Sequence, residues 1–213
     1  MDDETREALK RNYDTSGNDP RTWLWVAGNL RTAALHLEPH FPLDFTKEVD
    51  HQRVVVAARL QGPLLMIRGC ELECLLKAIY VSTGKKLAEG GVYQAPKGKP
   101  HDLVALACAA GMQPTASEGA LLSYLGWYIS GGRYPIGLRA PQAFHLRADG
   151  QPRSRVWGVE EDAEYQAFRA TLRQQAAEAS RSWEELGAAQ QGVEADEAER
   201  IGASQLNSSV RPT

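Results

Sequence analysis

Residues 64–83, LLMIRGCELECLLKAIYVST, limit the possible folds more than any other part of the sequence. The stretch is longer than a typical strand, and apolar side chains would occupy most of the circumference of a helix built from it. Such a helix is buried on several sides, so the stretch predicts the central helix of a bundle. Gly62-Pro63 before it and Gly84 after it are typical of helix boundaries.

Three helices are predicted before this central one. Residues 1–18 are polar and end in turn-forming residues, which indicates a short helix followed by a turn. Asp19 and Pro20 are typical of an N-cap and a first helical position, and the apolar stripe that follows them predicts a second helix to about Leu37. Residues 54–60, VVVAARL, begin with β-branched residues, but no partner strand is evident, so we predict helix there too.

The chain after the central helix combines further helices with two irregular segments. Residues 84–100 contain many Gly, Pro and Lys residues and predict an exposed loop. A short helix is predicted over 101–110, and Thr115 or Ser117 is a candidate cap for the next. Residues 133–157 predict a long loop or a short hairpin around Asp149-Gly150, and an apolar stripe over 165–186 then predicts a long final helix.

Together these elements predict an all-α protein, an antiparallel helical bundle of about five to six helices with a long loop before the final helix. Residues 1–187 form the predicted bundle domain, and residues 188–213 predict a flexible acidic and polar tail. The chain has no uninterrupted run of 18 apolar residues and its N-terminus is charged, so we expect a cytoplasmic protein with no membrane contact. Cys70, Cys74 and Cys108 lack the spacing of a zinc site, so we expect buried thiols, no metal and no cofactor.

The central helix contains an acid and a base one turn apart. Glu73 and Lys77 are at i and i+4 with the acid first, the order that favours an ion pair. Because their neighbours are apolar, the pair is expected at the edge of the core, where it either stabilises the helix or takes part in ligand binding.

A histidine follows the lysine-rich loop. Asp102 suits the first turn of the helix that begins there, because a carboxylate is favourable at the positive end of the helix dipole. His101 beside it is either part of the same cap or a general base, with the loop lysines as phosphate ligands: Lys85, Lys86, Lys97 and Lys99.

Three segments, WLWVAGNLRTAALHL (23–37), ELECLLKA (71–78) and HDLVALACAAG (101–111), resemble the HEPN superfamily of helical domains. The resemblance covers roughly residues 20–130. It implies an antiparallel helical bundle that often forms homodimers in prokaryotic defence and toxin-antitoxin systems. Many members of the superfamily are metal-independent endoribonucleases.

The catalytic members of that superfamily have an Arg and a His four to six residues apart, late in the bundle. Arg31 and His36 have this spacing but lie in the first long helix, where residues five apart diverge by about 140°. Arg139 and His145 also fit, but Pro141 between them argues against a regular helix.

The candidate residues therefore fall into two groups. His101 and His36 are candidate bases, and Arg31, Arg68 and Arg133 are candidate cations for a phosphate ligand or a transition state. Tyr134, which follows Arg133 after a double glycine, either stacks on a nucleobase or packs on the bundle.

Three functions remain open at this point. The chain binds RNA, a nucleotide or a partner protein without catalysis; or it cleaves RNA without metal, with Arg and His residues paired across a homodimer; or it is an adaptor whose final helix and tail bind a partner protein. A net charge of -3 gives no general attraction for nucleic acid, so any basic contact surface would be local.

Overall fold

The computed structural model describes residues 2–40, 46–49, 52–55, 61–96, 101–131 and 157–208. These residues are mostly helical. The helices are α1 (Asp3–Gly17), α2 (Pro20–Leu37), a 3-10 helix (Glu38–His40), α3 (Gln61–Ser82), α4 (Leu103–Ala109), α5 (Ala116–Gly131) and α6 (Val159–Ser208). Two antiparallel hairpins are formed by β1 (Thr46–Val49) with β2 (Gln52–Val55), and by β3 (Ala88–Glu89) with β4 (Val92–Tyr93).

Side-chain caps explain where α2 and α5 begin. Asp19 accepts a hydrogen bond from the Arg21 amide at 2.8 Å, and Pro20 occupies the first turn of α2, as the sequence predicts. Before α5, the Glu118 carboxylate accepts from the Thr115 amide at 2.8 Å, and the Thr115 hydroxyl accepts from the Glu118 amide at 3.2 Å. This reciprocal capping box satisfies two amides that the helix itself cannot pair.

The helix α3 lies at the centre of the described residues, as its apolar circumference predicts. Helices α2, α4, α5 and α6 each contact it. Leu65, Leu72 and Leu76 of α3 are fully buried, together with Leu121 and Leu125 of α5. Burial of each such side chain is worth about 1.5–3 kcal/mol. The stripe of α6 that the sequence predicts is also buried, at Tyr165, Phe168, Leu172 and Ala176.

Residues 84–96, the described part of the predicted exposed loop, include a paired hairpin and buried residues. Leu87 and Ala88 are buried, and β3 and β4 pair across a two-residue turn, Gly90-Gly91. Both glycines have positive φ, 63° and 77°, a conformation that glycine adopts without strain and that two-residue hairpin turns require.

Two side chains from the end of α1 hold this hairpin in place. Asn18 accepts from the amides of Leu87 and Ala88 at 2.7 and 3.1 Å and donates to the Ala88 carbonyl at 2.8 Å. Asp14 accepts from the two glycine amides of the turn, at 2.8 and 2.9 Å. The hairpin is therefore fixed by residues about 70 positions away in the sequence.

Two other predictions need correction. The helix predicted over 54–60 is wrong at its start, because residues 54–55 belong to β2; residues 56–60 lie outside the described residues. The partner strand is TKEV, which is short and mostly polar, so its sequence gives no strand signal. Cys108 is exposed rather than buried, whereas Cys74 is buried as expected, and burial raises the pKa of its thiol to about 12.

The C-terminal part of the chain shows one further difference. The helix α6 continues to Ser208 and so includes residues 188–208, for which the sequence predicts a tail. The long loop predicted at 133–157 lies outside the described residues except for Trp157, which is buried.

Candidate functional site

The charged residues of α3 lie in two separate clusters. We call them the Arg68 cluster and the His101 cluster. Each residue advances about 100° around a helix, so Arg68 lies about 140° from Glu73 and about 180° from Lys77. Arg68 is therefore on a different face of α3 from these two residues.

The Arg68 cluster connects α3 to both α2 and α6. It comprises Arg31, Glu38, Arg68, Glu71, Asp162, Tyr165 and Arg169, with Trp157 beside it. The guanidinium of Arg68 pairs with Glu38 at 3.0 Å and with Asp162 at 2.6 Å, and it lies over the rings of Trp157 and Tyr165 at 5.3 and 4.8 Å. Only 3% of the Arg68 side chain is exposed, so these contacts enclose it.

Glu71 is the other deeply buried charge in this cluster. It accepts a hydrogen bond from the Tyr165 hydroxyl at 2.6 Å and another from Arg169. Burial, and then the neighbouring carboxylate, raise the pKa of Tyr165, so its hydroxyl stays protonated and donates. The contacts of Glu71 attach α6 to the central helix.

These contacts leave Arg68 and Arg31 little capacity for a ligand. Arg31 pairs with Glu38 at 2.7 Å, and its side chain is 17% exposed. The Arg68 Nε is buried and has no hydrogen-bond partner within the described ranges, but both terminal nitrogens of the guanidinium are paired. The Arg68 cluster therefore holds helices together.

The His101 cluster lies where α3, α4, α2 and the β3–β4 hairpin meet. It comprises Trp23, Glu73, Lys77, Tyr93 and His101. Glu73 accepts from the Lys77 ammonium at 2.8 Å and from the His101 Nδ1 at 2.9 Å. The Lys77 ammonium also lies over the rings of Trp23 and Tyr93, at 4.6 and 5.1 Å. The predicted Glu73–Lys77 ion pair is thus confirmed, with a histidine added to it.

The electrostatics of this cluster keep Glu73 and Lys77 charged. Burial alone would raise the pKa of Glu73, but the Lys77 ammonium, followed by His101, outweighs it and lowers that pKa. For Lys77 the opposite applies: burial lowers the pKa of the ammonium, but the Glu73 carboxylate outweighs this and raises it. An ionised carboxylate only accepts hydrogen bonds, so the proton between Glu73 and His101 is on Nδ1.

The backbone of His101 has an unusual conformation. Its φ is 63°, the left-handed region, and it is the one non-glycine residue with positive φ in the described part of the chain. Histidine tolerates this region better than most residues, but it remains uncommon there. The next residue, Asp102, caps α4 by accepting from the Ala105 amide at 3.0 Å, as predicted.

This arrangement gives the imidazole a defined chemical character. With Nδ1 donating to Glu73, the lone pair of the ring is on Nε2. The His101 side chain is 32% exposed, whereas those of Glu73 and Lys77 are 11% and 12% exposed. His101 is therefore the group through which the cluster can accept a proton or a hydrogen bond from a ligand.

The other sequence candidates do not join this cluster. His36 is exposed and has no hydrogen bond or ion pair to the described residues, while Arg31 points to Glu38. Lys97, Lys99, Arg133 and Tyr134 lie outside the described residues.

Two loop lysines that precede Lys97 are described. Lys85 donates to the Ala109 carbonyl and lies over the Tyr80 ring at 5.1 Å, and Lys86 pairs with Glu89 at 2.8 Å. Both ammonium groups are therefore already in contact with protein groups.

Sequence reasoning missed two aromatic members of the cluster. Trp23 is a half-buried residue of α2, and its ring also contacts the Lys77 ammonium. Tyr93 lies in β4 and is 41% exposed. The Gly90-Gly91 pair in the sequence could have indicated the position of Tyr93. Two consecutive glycines predict a hairpin turn, and the strand after that turn runs back toward α3.

None of the described helices combines the length and apolarity needed to cross a membrane. Within the described ranges, no three His, Cys, Asp or Glu side chains are grouped so that they could hold a metal ion. No protein family model, curated protein or solved structure matches this chain.

Proposed function

We propose that this chain is a HEPN-like helical domain that binds RNA or a nucleotide through the His101 cluster. The observation that carries the proposal is the partly exposed imidazole of His101, fixed by Glu73 at Nδ1 and built on a left-handed backbone. Unusual backbone conformations that the surroundings enforce are concentrated at functional sites.

The neighbours of His101 support this ligand class. Tyr93 presents a partly exposed ring close to Lys77, and aromatic rings beside cations are surfaces on which nucleobases stack. Lys97 and Lys99 immediately precede His101 in the sequence and are the kind of residues that contact phosphate. The proposed homodimer and the setting in prokaryotic defence or a toxin-antitoxin system rest on the resemblance of residues 20–130 alone.

The contacts within the bundle make a protein adaptor the weaker alternative. That hypothesis uses the final helix and the tail to bind a partner, but Phe168, Leu172 and Ala176 of the apolar stripe of this helix are buried against the domain. A stripe that forms the core is not free to bind another protein.

The binding test compares variants at two histidines. A fluorescently labelled single-stranded oligoribonucleotide is titrated with the wild-type protein, His101→Gln and His36→Gln, and binding is followed by anisotropy at low and moderate salt. His101→Gln is expected to weaken binding about tenfold, the loss of one hydrogen bond to a charged or strongly polar group. His36→Gln is the matched control and should bind like the wild type. No binding at low salt, or equal affinities of both variants, would contradict the proposal.

A metal-independent endoribonuclease is the second candidate, because the His101–Glu73 pair is also the arrangement of an oriented general base. Its Nε2 would accept the proton of a ribose 2′-hydroxyl as that oxygen attacks the phosphorus. The bond from phosphorus to the 5′-oxygen of the next nucleotide then breaks, this oxygen takes up a proton from water, and a 2′,3′-cyclic phosphate is left. In the described residues no exposed Arg or Lys contacts His101 to stabilise the charged transition state, so we place binding first. Cleavage in EDTA that persists in His36→Gln and disappears in His101→Gln would establish the enzyme.

A further inference from the structure

The backbone of His101 makes a close contact with α5. The His101 carbonyl oxygen lies against Gly126, and a Cβ atom at position 126 would be only 2.7 Å from that oxygen. Real side chains do not approach a backbone oxygen so closely, so any residue larger than glycine would displace the His101 peptide.

The contact also explains why the chain has glycine in the middle of a helix. Gly126 is one of the two interior glycines of α5, and glycine is less favourable than alanine in a helix by about 1 kcal/mol. At Gly119 of the same helix a Cβ would meet nothing within 4 Å. Of these two glycines of α5, only Gly126 has a steric reason to lack a side chain.

We propose that Gly126 is a positioning residue for His101. The bare backbone at 126 lets the His101 carbonyl approach α5. With its carbonyl in that place, His101 is held in the left-handed conformation that directs Nδ1 onto Glu73 and leaves Nε2 outward. The proposal deepens the proposed function and rests on it for the use of His101, but the positioning itself is measurable without any ligand.

The test measures which ring nitrogen of His101 is protonated in the neutral imidazole. In the full-length protein labelled with ¹⁵N, the ring nitrogens of His101 are assigned by comparison with His101→Gln and observed at alkaline pH, in the neutral form of the ring. The wild type is expected to show the proton on Nδ1. Gly126→Ala should lose this signature and show mainly the Nε2-protonated form, whereas the control Gly119→Ala should retain it. Retention of the Nδ1 proton in Gly126→Ala would overturn the proposal.

A second measurement covers the case in which Gly126→Ala is too unstable for such spectra. Glycine at position 101 tolerates a wider range of backbone conformations, so His101→Gly should absorb the displacement. Gly126→Ala is then expected to lower the melting temperature less in a His101→Gly background than in the wild type. Equal losses in the two backgrounds would show that Gly126 does not act through His101.

The same variants separate the positioning from the proposed function. If Gly126→Ala changes the tautomer while RNA affinity is unchanged, Gly126 positions His101 but His101 does not contact RNA. If the tautomer is unchanged and affinity falls, the positioning proposal fails while the binding proposal stands.

Discussion

Replacing Glu73 by glutamine removes one negative charge from the His101 cluster and hardly changes its shape. The Lys77 side chain, 12% exposed, is then a buried cation without its carboxylate. Removing one partner of a buried ion pair costs about 3–5 kcal/mol. Because glutamine retains a carbonyl oxygen that can accept from Lys77, we expect the lower end, a loss of about 3 kcal/mol in the free energy of unfolding.

A double-mutant cycle isolates the charge effect. Removing both charges as Glu73→Gln with Lys77→Met leaves no unpaired ion, so the double variant should be more stable than Glu73→Gln alone. The matched control is Glu7→Gln in α1, where Glu7 and Lys10 also pair, at 2.6 Å, but are 55% and 42% exposed. Exposed pairs contribute about 0–1 kcal/mol, so this control should be nearly neutral.

Urea unfolding followed by both fluorescence and circular dichroism measures these differences. A loss below about 1 kcal/mol for Glu73→Gln would refute the reasoning, since a buried ion pair costs several times more to break. The reasoning is also refuted if the double variant loses as much free energy of unfolding as Glu73→Gln and Lys77→Met lose when added together. The two charges would then act independently.

The stability difference should also depend on pH in a definite direction. The pKa of Glu73 is lowered in the folded protein from its ordinary value of 4.5, so its charge stabilises the fold above that value. As the pH falls through the lowered pKa, Glu73 takes up a proton and this contribution is lost. The difference between wild type and Glu73→Gln should therefore be full at pH 7 and shrink below pH 4.5.

Two further substitutions test the contacts that hold α6 and the β3–β4 hairpin. Tyr165→Phe removes the hydroxyl that donates to the buried Glu71 and should lower the free energy of unfolding by about 1.5–3 kcal/mol in urea. Tyr13→Phe, at an exposed tyrosine, should change it by less than about 0.5 kcal/mol, and equal effects would contradict the assignment. Asn18→Ala removes three hydrogen bonds to the hairpin, so the two backbone amides that Asn18 accepts from should exchange faster with solvent. Unchanged exchange rates would show that the hairpin is held without Asn18.

The helices and their caps were largely predictable because they depend on residues close together in the sequence. Asp19, Asp102 and Thr115 act as predicted, since a cap bonds to amides two or three positions ahead. The Glu73–Lys77 pair is likewise local, one turn apart on α3. The predicted helix over 54–60 failed because β2 depends on a partner strand whose own sequence carries no strand signal.

The site was less predictable because its contacts join distant segments. His101 and Glu73 are 28 positions apart, and Lys77 meets Trp23 across two helices. Such contacts follow from how helices pack, and the periodicity of each helix specifies only which face is apolar. Sequence could therefore identify Glu73, Lys77 and His101 as candidates but not bring them together.

The two clusters of α3 differ in what their charges leave exposed. In the Arg68 cluster the cation is the buried centre, 3% exposed, and its ion pairs are with Glu38, which follows α2, and with Asp162 of α6. In the His101 cluster the buried ion pair is the support, and the titratable group that it orients is 32% exposed. A buried ion pair adds little net stability over apolar residues of the same size, so stability alone does not account for Glu73 and Lys77. Orienting His101, as the proposed ligand binding requires, is a role that apolar side chains could not fill.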